Sequence, residues 1–304
     1  MGSNGLPFPT GSVVTLLPVT FMQQLLNQAS QAKTEVLLVA PFIKLSVLDE
    51  IVRALDDRVR LHVATRWRVE EIQAGVSDIE IFELIRDRDL SSLALANHLH
   101  AKYYRFDDFV YTGSANLTQT GLGIVGDAIE ILEQRSAGLS LEFENRVTSA
   151  SLEVNQGIYE VFRALPEREA MDVLTPPIQT KWFPEFRNPH DLWLVYSTQN
   201  YPDVSAEAAR RDLGALGVPR DLDQQAFLQR IKVGLLGQSI LSETIAYLDK
   251  PKRFGEFRRW VALTLGKSDA TSEAQSLLRW IDAFLPELVS FESSPYSEVI
   301  RKRW

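Results

Sequence analysis

The sequence predicts an α/β fold followed by a mainly helical part, and three observations support this. Helix-like and strand-like apolar patterns alternate over roughly the first 165 residues, which is typical of α/β domains. Paired prolines at positions 176 and 177 interrupt the periodicity and favour a linker. After about residue 178 the apolar spacing is mainly helical. We therefore predict an α/β domain over residues 1–174 and a mainly α-helical domain over residues 175–304.

The elements of the first part follow from the apolar periodicity, with a spacing of 3.6 for helices and short apolar runs for buried strands. In chain order the sequence predicts a helix at Phe21–Lys33, a strand at Glu35–Pro41, a helix at Leu45–Leu55, a strand at Val59–Thr65, a helix from Asp78 to Arg88, a short strand at Leu93–Ala96 and one or two helices over Leu139–Leu165. Asp78 is expected to cap its helix, because Asp accepts hydrogen bonds from the free N–H groups of a first turn.

The second part is predicted from the same spacing. The pattern favours a strand at Leu192–Ser197 and helices at Leu222–Leu248, Phe254–Leu265 and Ser272–Leu285. This part is expected to serve target recognition or partner docking.

The functional signal lies within seventeen residues, in the run HAKYYRFDDFVYTGSAN. Its chemically informative members are His100, Lys102, Asp107, Gly113, Ser114 and Asn116. A neutral imidazole such as that of His100 can attack phosphorus and form a covalent intermediate. The charge on the non-bridging phosphoryl oxygens then needs fixed hydrogen-bond donors, which Lys102, Ser114 and Asn116 can supply. The run therefore predicts a site that cleaves phosphodiesters.

Local geometry supports this grouping. If residues 100–106 form a strand, side chains two apart lie on one face, so His100 and Lys102 project together. A turn at Asp107 and the following Asp would return the chain and carry Gly113 and Ser114 to the same end. Gly113 would allow close backbone approach to a phosphate. Asp107 is interpreted mainly as a turn residue.

The spacing of these residues resembles the signature of the phospholipase D superfamily, H-x-K-x4-D followed by G-S-x-N. Five residues separate Asp107 from Gly113 here, where six is the more usual number, so a shorter hairpin loop is expected. The resemblance covers roughly residues 15–165. It implies a phospholipase D-like α-β-α sandwich with a mixed sheet.

The resemblance also implies a partner subunit, because one histidine attacks and a second protonates the leaving oxygen. His62, His98 and His190 lack a lysine two residues later, so a second motif must come from another copy of the chain. A homodimer with His100 of each subunit across a two-fold axis is implied.

Single-motif members of the superfamily are commonly nucleases, including metal-independent restriction endonucleases. The resemblance therefore implies DNA as the substrate, no cofactor, no metal, and a role in restriction or antiviral defence with a defence-system partner protein. Two alternatives stay open: a phospholipase or phosphatidyl transferase, and a nuclease subunit that is inactive without a partner.

Two further site residues are assigned. In the family an acidic residue holds the other ring nitrogen of the nucleophilic histidine. Glu130, in the strand-like run AIEILEQ, is the preferred candidate, and Asp127 is the alternative because its distance from Asn116 matches the shorter-looped nucleases. Arg66, at the end of a predicted strand, is assigned to phosphate binding, although a solvated arginine fits its position equally well.

Composition agrees with a cytoplasmic enzyme. The chain has no cysteine, so neither disulfides nor thiolate metal sites are available, and a reducing compartment is expected. No uncharged apolar run approaches the ~20 residues of a membrane span. The first residues lack the basic and apolar segments of a signal peptide. No zinc-protease or P-loop motif is present in the sequence.

Charge limits how the chain could bind DNA. The net charge is −8, divided into −9 for residues 1–180 and +1 for residues 181–304. The overall negative charge therefore cannot favour binding of nucleic acid, and contacts with its phosphates must come from local cationic patches. Two such patches are the cations at 250–259, which surround Phe254 and Trp260, and the terminal run Arg301–Trp304; a solvated helix face and a frayed tail explain them as well.

Overall fold

The structure is a computed structural model that describes residues 20–125, 130–136, 141–165, 181–198, 203–294 and 297–303. The predicted α/β class is confirmed, because a seven-stranded mixed sheet carries helices on both faces. Its strands are β1 (Glu35–Val39), β2 (Arg60–Thr65), β3 (Ser91–Leu95), β4 (Tyr103–Phe106), β5 (Phe109–Gly113), β6 (Leu132–Ser136) and β7 (Leu152–Glu153). They are arranged in the order β6-β5-β4-β1-β2-β3-β7.

Strand direction determines which loops meet. β1, β2 and β3 are parallel, and β4 lies antiparallel to β1. β5 is antiparallel to β4, β6 to β5, and β7 to β3. The ends of β1, β2, β3 and β5 therefore share one edge of the sheet with the beginnings of β4 and β6. We call this edge the motif edge.

The hairpin of β4 and β5 forms as predicted. Tyr103 pairs with Thr112 and Phe106 pairs with Phe109, so the chain turns at Asp107 and the following Asp. Asp107 has a φ of 48°, a left-handed conformation that Asp tolerates better than most residues. The strand begins at Tyr103 and not at residue 100 as predicted. His100 and Lys102 therefore lie in the loop before β4.

Helices of the first part cover both faces of the sheet. They are α1 (Phe21–Gln31), α2 (Leu45–Ala54), α3 (Val69–Gln73), α4 (Ile81–Arg86), α5 (Leu141–Ala150) and α6 (Gln156–Arg163). One face packs against apolar residues of α1, α2 and α4, such as Leu25, Leu48 and Phe82. On the other face Val147 of α5 packs with Val39 and Tyr103.

The predicted cap Asp78 does not cap its own helix. Its carboxylate accepts a hydrogen bond from the Leu45 N–H at the start of α2, at 2.8 Å, and binds the Lys44 ammonium. α4 begins at Ile81 with no side-chain cap. The carboxylate satisfies a free N–H of the distant helix α2, so this part of the prediction was wrong.

The second part is mainly helical, as predicted. Its helices are α7 (Leu192–Thr198), α8 (Asp203–Ala215), α9 (Gln224–Leu236), α10 (Ser239–Tyr247), α11 (Phe254–Leu265) and α12 (Thr271–Phe284). The predicted strand at Leu192–Ser197 is a helix, because Leu192 and Val195 point to the core at helical spacing. The predicted helix Leu222–Leu248 is two helices, since α9 ends at Gly237.

A second, three-stranded sheet was not predicted. It contains β8 (Lys252–Arg253), β9 (Val289–Ser294) and β10 (Ser297–Lys302) in the order β8-β10-β9. Its central strand β10 lies at the end of the described chain.

The two parts share a continuous apolar core, which includes Phe162 of α6 and Ile231 of α9. The Asn97 side chain donates to the Leu236 carbonyl at 2.6 Å, and the Gln229 amide donates to the Val161 carbonyl. The predicted boundary at 174 and the proline linker lie outside the described residues. No helix of the described residues combines the length and apolar character that crossing a bilayer requires.

Candidate active site

The motif edge collects the assigned residues from distant parts of the chain. Arg66 directly follows β2, and Ser114 directly follows β5. His100 and Lys102 come before β4, and Glu130 comes before β6. Sheet topology alone therefore brings these five residues to one edge, with the His100 side chain exposed.

His100 and Lys102 are in direct contact. The Lys102 ammonium lies 3.2 Å from His100 Nδ1 and 3.0 Å from the His100 carbonyl oxygen. An ammonium has only donors, so Nδ1 accepts in this contact and a neutral ring carries its proton on Nε2. Attack on phosphorus through Nε2 requires the other tautomer, with the proton on Nδ1.

The charge environment of Lys102 is mixed. Partial burial lowers the pKa of Lys102, and the nearby Arg66 guanidinium lowers this pKa further. The Glu130 carboxylate acts in the opposite direction. Lys102 is therefore a cation between another cation and a carboxylate, a setting that binding of a phosphate would change.

Ser114 joins the motif loop to the start of β6. Its hydroxyl donates to the Glu130 carboxylate and accepts the Ile131 N–H at 3.0 Å, while the Ser114 N–H donates to the Ile131 carbonyl at 2.9 Å. Glu130 is thus connected to the motif, but through Ser114. Its predicted bond to His100 stays a prediction, and Asp127 lies outside the described residues.

Gly113 permits this close approach. A Cβ at this position would lie 1.8 Å from the Ile131 carbonyl oxygen, closer than any real contact. The glycine therefore allows β5 and the chain before β6 to pass next to Ser114. Its predicted contact with phosphate stays a prediction.

Asn116 is positioned through its neighbours in sequence. The buried Tyr104 hydroxyl donates to the Ala115 carbonyl, and the Leu117 carbonyl accepts the Lys44 N–H at 2.9 Å. A Cβ on Gly121 would lie 2.6 Å from the Asn116 carbonyl oxygen, so only glycine fits there. Within the described chain the buried Asn116 Oδ1 has no hydrogen-bond partner.

Sequence reasoning did not assign Tyr104 or Gly121 to the site. Tyr104 stands two residues after Lys102, so strand alternation placed it on the motif side without indicating its bond. Gly121 follows the motif in the run GLG, and the only available signal was the glycine itself.

Arg66 is largely engaged within the protein. Its guanidinium donates to Glu71 through Nε at 3.0 Å and to the Leu99 carbonyl through Nη1 at 2.6 Å. Only 13% of its side chain is exposed. Arg66 therefore fixes the backbone beside His100, and the assigned contact with phosphate stays a prediction.

Asp107 anchors the hairpin. Its carboxylate accepts the backbone N–H groups of Lys33, Thr34 and Glu35 at 2.7, 2.9 and 3.0 Å. Burial alone would raise the pKa of Asp107, but the bonds from the Thr34 hydroxyl and these N–H groups lower it to about 2. The motif aspartate thus binds the start of β1 at the far end of the sheet from His100.

Comparisons with known proteins give partial similarities to solved structures. Neither the family models nor the curated proteins match this chain. Among solved structures it is similar to Nuc from Salmonella typhimurium, described as a phospholipase D family member, with 18% identity over 43% of this chain and 89% of Nuc, at a TM-score of 0.35.

Two other solved structures are similar over comparable lengths. NucT from Helicobacter pylori is 12% identical over 44% of this chain and 91% of NucT, with a TM-score of 0.36. Phosphatidylserine synthase from Haemophilus influenzae is 17% identical over 48% of this chain and 41% of the synthase, with a TM-score of 0.37. Among the described side chains, no group of three or more His, Asp or Glu could hold a metal ion.

Proposed function

We propose that this chain is a metal-independent phosphodiesterase of the phospholipase D superfamily, acting on DNA as a homodimeric endonuclease. The observation that carries the proposal is the motif edge, where an exposed imidazole contacts an ammonium, and a hydroxyl bonded to a carboxylate lies at the same edge. This donor and nucleophile set matches what transfer of a phosphoryl group requires.

In the first step His100 Nε2 attacks phosphorus, and the bond from phosphorus to the leaving oxygen breaks. His100 of the partner subunit donates a proton to that oxygen. Lys102, Ser114 and Asn116 stabilise the charge on the non-bridging oxygens. A phosphohistidine and one free DNA end result.

In the second step water attacks the phosphohistidine. His100 of the partner subunit removes a proton from this water, the bond from phosphorus to Nε2 breaks, and the second DNA end leaves as a phosphate monoester. Before the first attack, the substrate phosphate attracts the Lys102 ammonium away from His100 Nδ1. Nδ1 can then carry the proton and donate it to Glu130, which holds the ring as a triad carboxylate does.

A second subunit is required because one chain supplies one motif histidine. Exposed apolar side chains flank the motif edge and support an interface there: Ile124 is 42%, Val125 57% and Ile131 58% exposed. A two-fold axis at this edge would bring the two His100 side chains together and cover these residues.

The preference for DNA over lipid rests on the single motif and is an analogy. Restriction or antiviral defence in the cytoplasm, together with a defence-system partner protein, forms part of the same proposal. A phospholipase would instead cleave phosphatidyl lipids through the same His100. A nuclease subunit that depends on a partner would be folded and dimeric but inactive alone.

The proposal is tested by incubating purified protein with plasmid and single-stranded DNA in EDTA. We expect cleavage, and a loss of about 10³-fold or more in His100→Ala, because the covalent route disappears. A denaturing gel should show a DNA adduct on the wild-type protein that His100→Ala lacks.

His98→Ala is the matched control, since this exposed histidine lies two residues earlier and has no assigned role. It should cleave as the wild type does. Cleavage that survives in His100→Ala, or that stops in EDTA, would contradict the mechanism. Turnover of phosphatidyl lipids without DNA cleavage would favour the lipid enzyme instead.

A further inference from the structure

Two cationic segments that are distant in sequence meet in the three-stranded sheet. β8 and β10 are antiparallel neighbours, with Arg253 opposite Val299 and Lys252 opposite Ile300. The cations at 250–259 and the terminal run 301–303 are therefore adjacent. The two patches that the sequence left as alternatives form one surface.

The outer face of this sheet is rich in arginine. Ile300 and Val289 are buried, so they point to the inner face, towards the core. Alternation places Arg301 on the outer face together with Val299 and its neighbour Arg253. Arg303 follows two residues after Arg301 and is exposed. We call Arg253, Arg301 and Arg303 the arginine face.

Intramolecular contacts neutralise this face only in part. Glu292 lies opposite Val299 and pairs with Arg301 at 3.1 Å. Arg303 donates to the Val289 carbonyl through its Nε at 2.8 Å. The two terminal NH₂ groups of its guanidinium can then bind a phosphate. The Arg253 backbone N–H donates to the Glu256 carboxylate at 2.9 Å, but the Arg253 guanidinium forms no ion pair with a carboxylate among the described side chains.

The charge of these segments contrasts with the rest of the chain. Residues 249–259 and 297–304 contain eight Lys and Arg against three Asp and Glu, a net charge of +5. The remaining residues carry −13, which completes the total of −8. A polyanion is therefore repelled by most of the molecule and attracted here.

The chemistry of the face favours nucleic acid over a lipid surface. The planar guanidinium binds phosphate through two parallel hydrogen bonds, and three arginines on one side of a sheet present such forks in a row. Binding to a membrane surface also needs apolar side chains that enter the lipid. None of the described residues of β8, β9 and β10 is an exposed large apolar side chain.

We propose that the arginine face binds the phosphate backbone of the DNA that the motif edge cleaves. The inference rests on the proposed function for the identity of the polyanion. It assigns the second part of the chain a positioning role without base readout, because contacts to phosphate carry no direct sequence information.

The test measures DNA binding without cleavage. In the full-length chain carrying His100→Ala, fluorescence anisotropy with a labelled 20-base-pair duplex is recorded over a series of salt concentrations. Adding Arg253→Ser, Arg301→Ser and Arg303→Ser should weaken binding about 10-fold or more at low salt. The slope of log affinity against log salt should fall in magnitude by about 3, one unit for each lost phosphate contact.

The matched control replaces three exposed arginines of the first part, Arg53, Arg58 and Arg163, by Ser in the same background. It changes the total charge equally and should bind as the parent does. Arg→Lys at all three positions of the arginine face keeps the charge and should retain the parental salt slope, which also separates lost contacts from misfolding.

Two outcomes would overturn the inference. The control could weaken binding as much as the arginine-face variant, which would indicate bulk charge. Alternatively, the arginine-face variant could keep its DNA affinity but lose sedimentation with phosphatidylglycerol vesicles, which would assign the face to a membrane. Cleavage of the small diester bis-p-nitrophenyl phosphate by the wild type tests the proposed function separately from the arginine face.

Discussion

The sheet part and the helical part each fix a distant segment with one carboxylate, but in opposite environments. In the sheet part Asp107 accepts three backbone N–H groups at the start of β1. In the helical part Asp212 accepts the Phe186 N–H at 2.7 Å, the Glu185 N–H at 3.0 Å and the Trp182 indole N–H at 3.1 Å. The hydrogen-bond pattern is nearly the same.

The pKa values of the two carboxyls nevertheless move apart. Asp212 is only 1% exposed, and this burial raises its pKa to about 6 despite the three donors. Asp107 is half-buried, and its donors outweigh burial and lower its pKa to about 2. The comparison teaches that burial can outweigh three hydrogen-bond donors, as at Asp212, whereas at the less buried Asp107 three N–H groups and the Thr34 hydroxyl outweigh it.

The largest stability effect is expected at Asp212. Asp212→Ala leaves three buried donors without a partner and should lower the free energy of unfolding by about 3 kcal/mol. Urea denaturation measures this. Activity at a temperature well below the midpoint should be retained, because the bonds of Asp212 are to Trp182, Glu185 and Phe186 and not to residues of the motif edge. The exposed Asp282→Ala is the matched control, and an equal loss there would show that burial is not the cause.

A smaller effect is expected at Asp107. Asp107→Ala should cost about 2 kcal/mol, because its donors lie nearer to water and can be hydrated when the carboxylate is removed. The hairpin that follows His100 and Lys102 would also lose its anchor, so DNA cleavage should fall about 10-fold. Asp57→Ala, another exposed aspartate, should change neither quantity. If Asp107→Ala destabilised the chain more than Asp212→Ala, the comparison would fail.

The pH dependence should have opposite signs for the two carboxyls. Asp107 has a lowered pKa, so its contribution is present above about pH 4 and lost as the pH falls towards 2. Asp212 has a raised pKa, so the folded state keeps its proton up to about pH 6 and its contribution falls as the pH rises from 4 to 6.

Urea denaturation of the wild type and Asp212→Asn at pH 4.5 and 7.5 measures the second effect. The stability advantage of the wild type should be larger at pH 4.5, by about 2 kcal/mol. An advantage that is equal at both pH values would show that Asp212 has its ordinary pKa.

The smallest effect is expected for an uncharged hydrogen bond in the sheet part. Tyr104→Phe removes one hydrogen bond to the Ala115 carbonyl without opening a cavity and should cost about 1 kcal/mol. DNA cleavage should fall several-fold, because Asn116 is held through this bond. Tyr196→Phe removes two bonds in the helical part, a donation to the Pro219 carbonyl and an acceptance of the Leu222 N–H, both at 2.8 Å, and should cost at least as much stability without changing cleavage.

Much of the motif edge could be predicted from local sequence. The hairpin with its turn at Asp107 was enough to bring His100, Lys102 and Ser114 to one end, because this signal acts over a few residues, although His100 and Lys102 lie in the loop before β4 and not in the strand. The bond from Ser114 to Glu130 could not be predicted, since it depends on how β6 pairs with β5.

Features defined by long-range contacts were missed. Asp78 has an ordinary capping sequence, yet the free N–H that it satisfies belongs to α2, more than thirty residues earlier. Leu192–Thr198 contains apolar residues that fit a strand or a helix, and the contacts of Trp193 and Tyr196 with Phe227 favour the helix. β8 has two residues, too few to give any periodic signal before β10 pairs with it.

The shared core has a consequence for dissecting the protein. A fragment that ends at residue 165 would expose Ile158 and Phe162, and the helical part alone would expose Phe227 and Ile231. Each piece would then carry the kind of apolar surface that causes aggregation in solution. Truncating the chain, or exchanging the helical part between related proteins, is therefore expected to destabilise it. A chimaera would need redesigned apolar residues where the two parts meet.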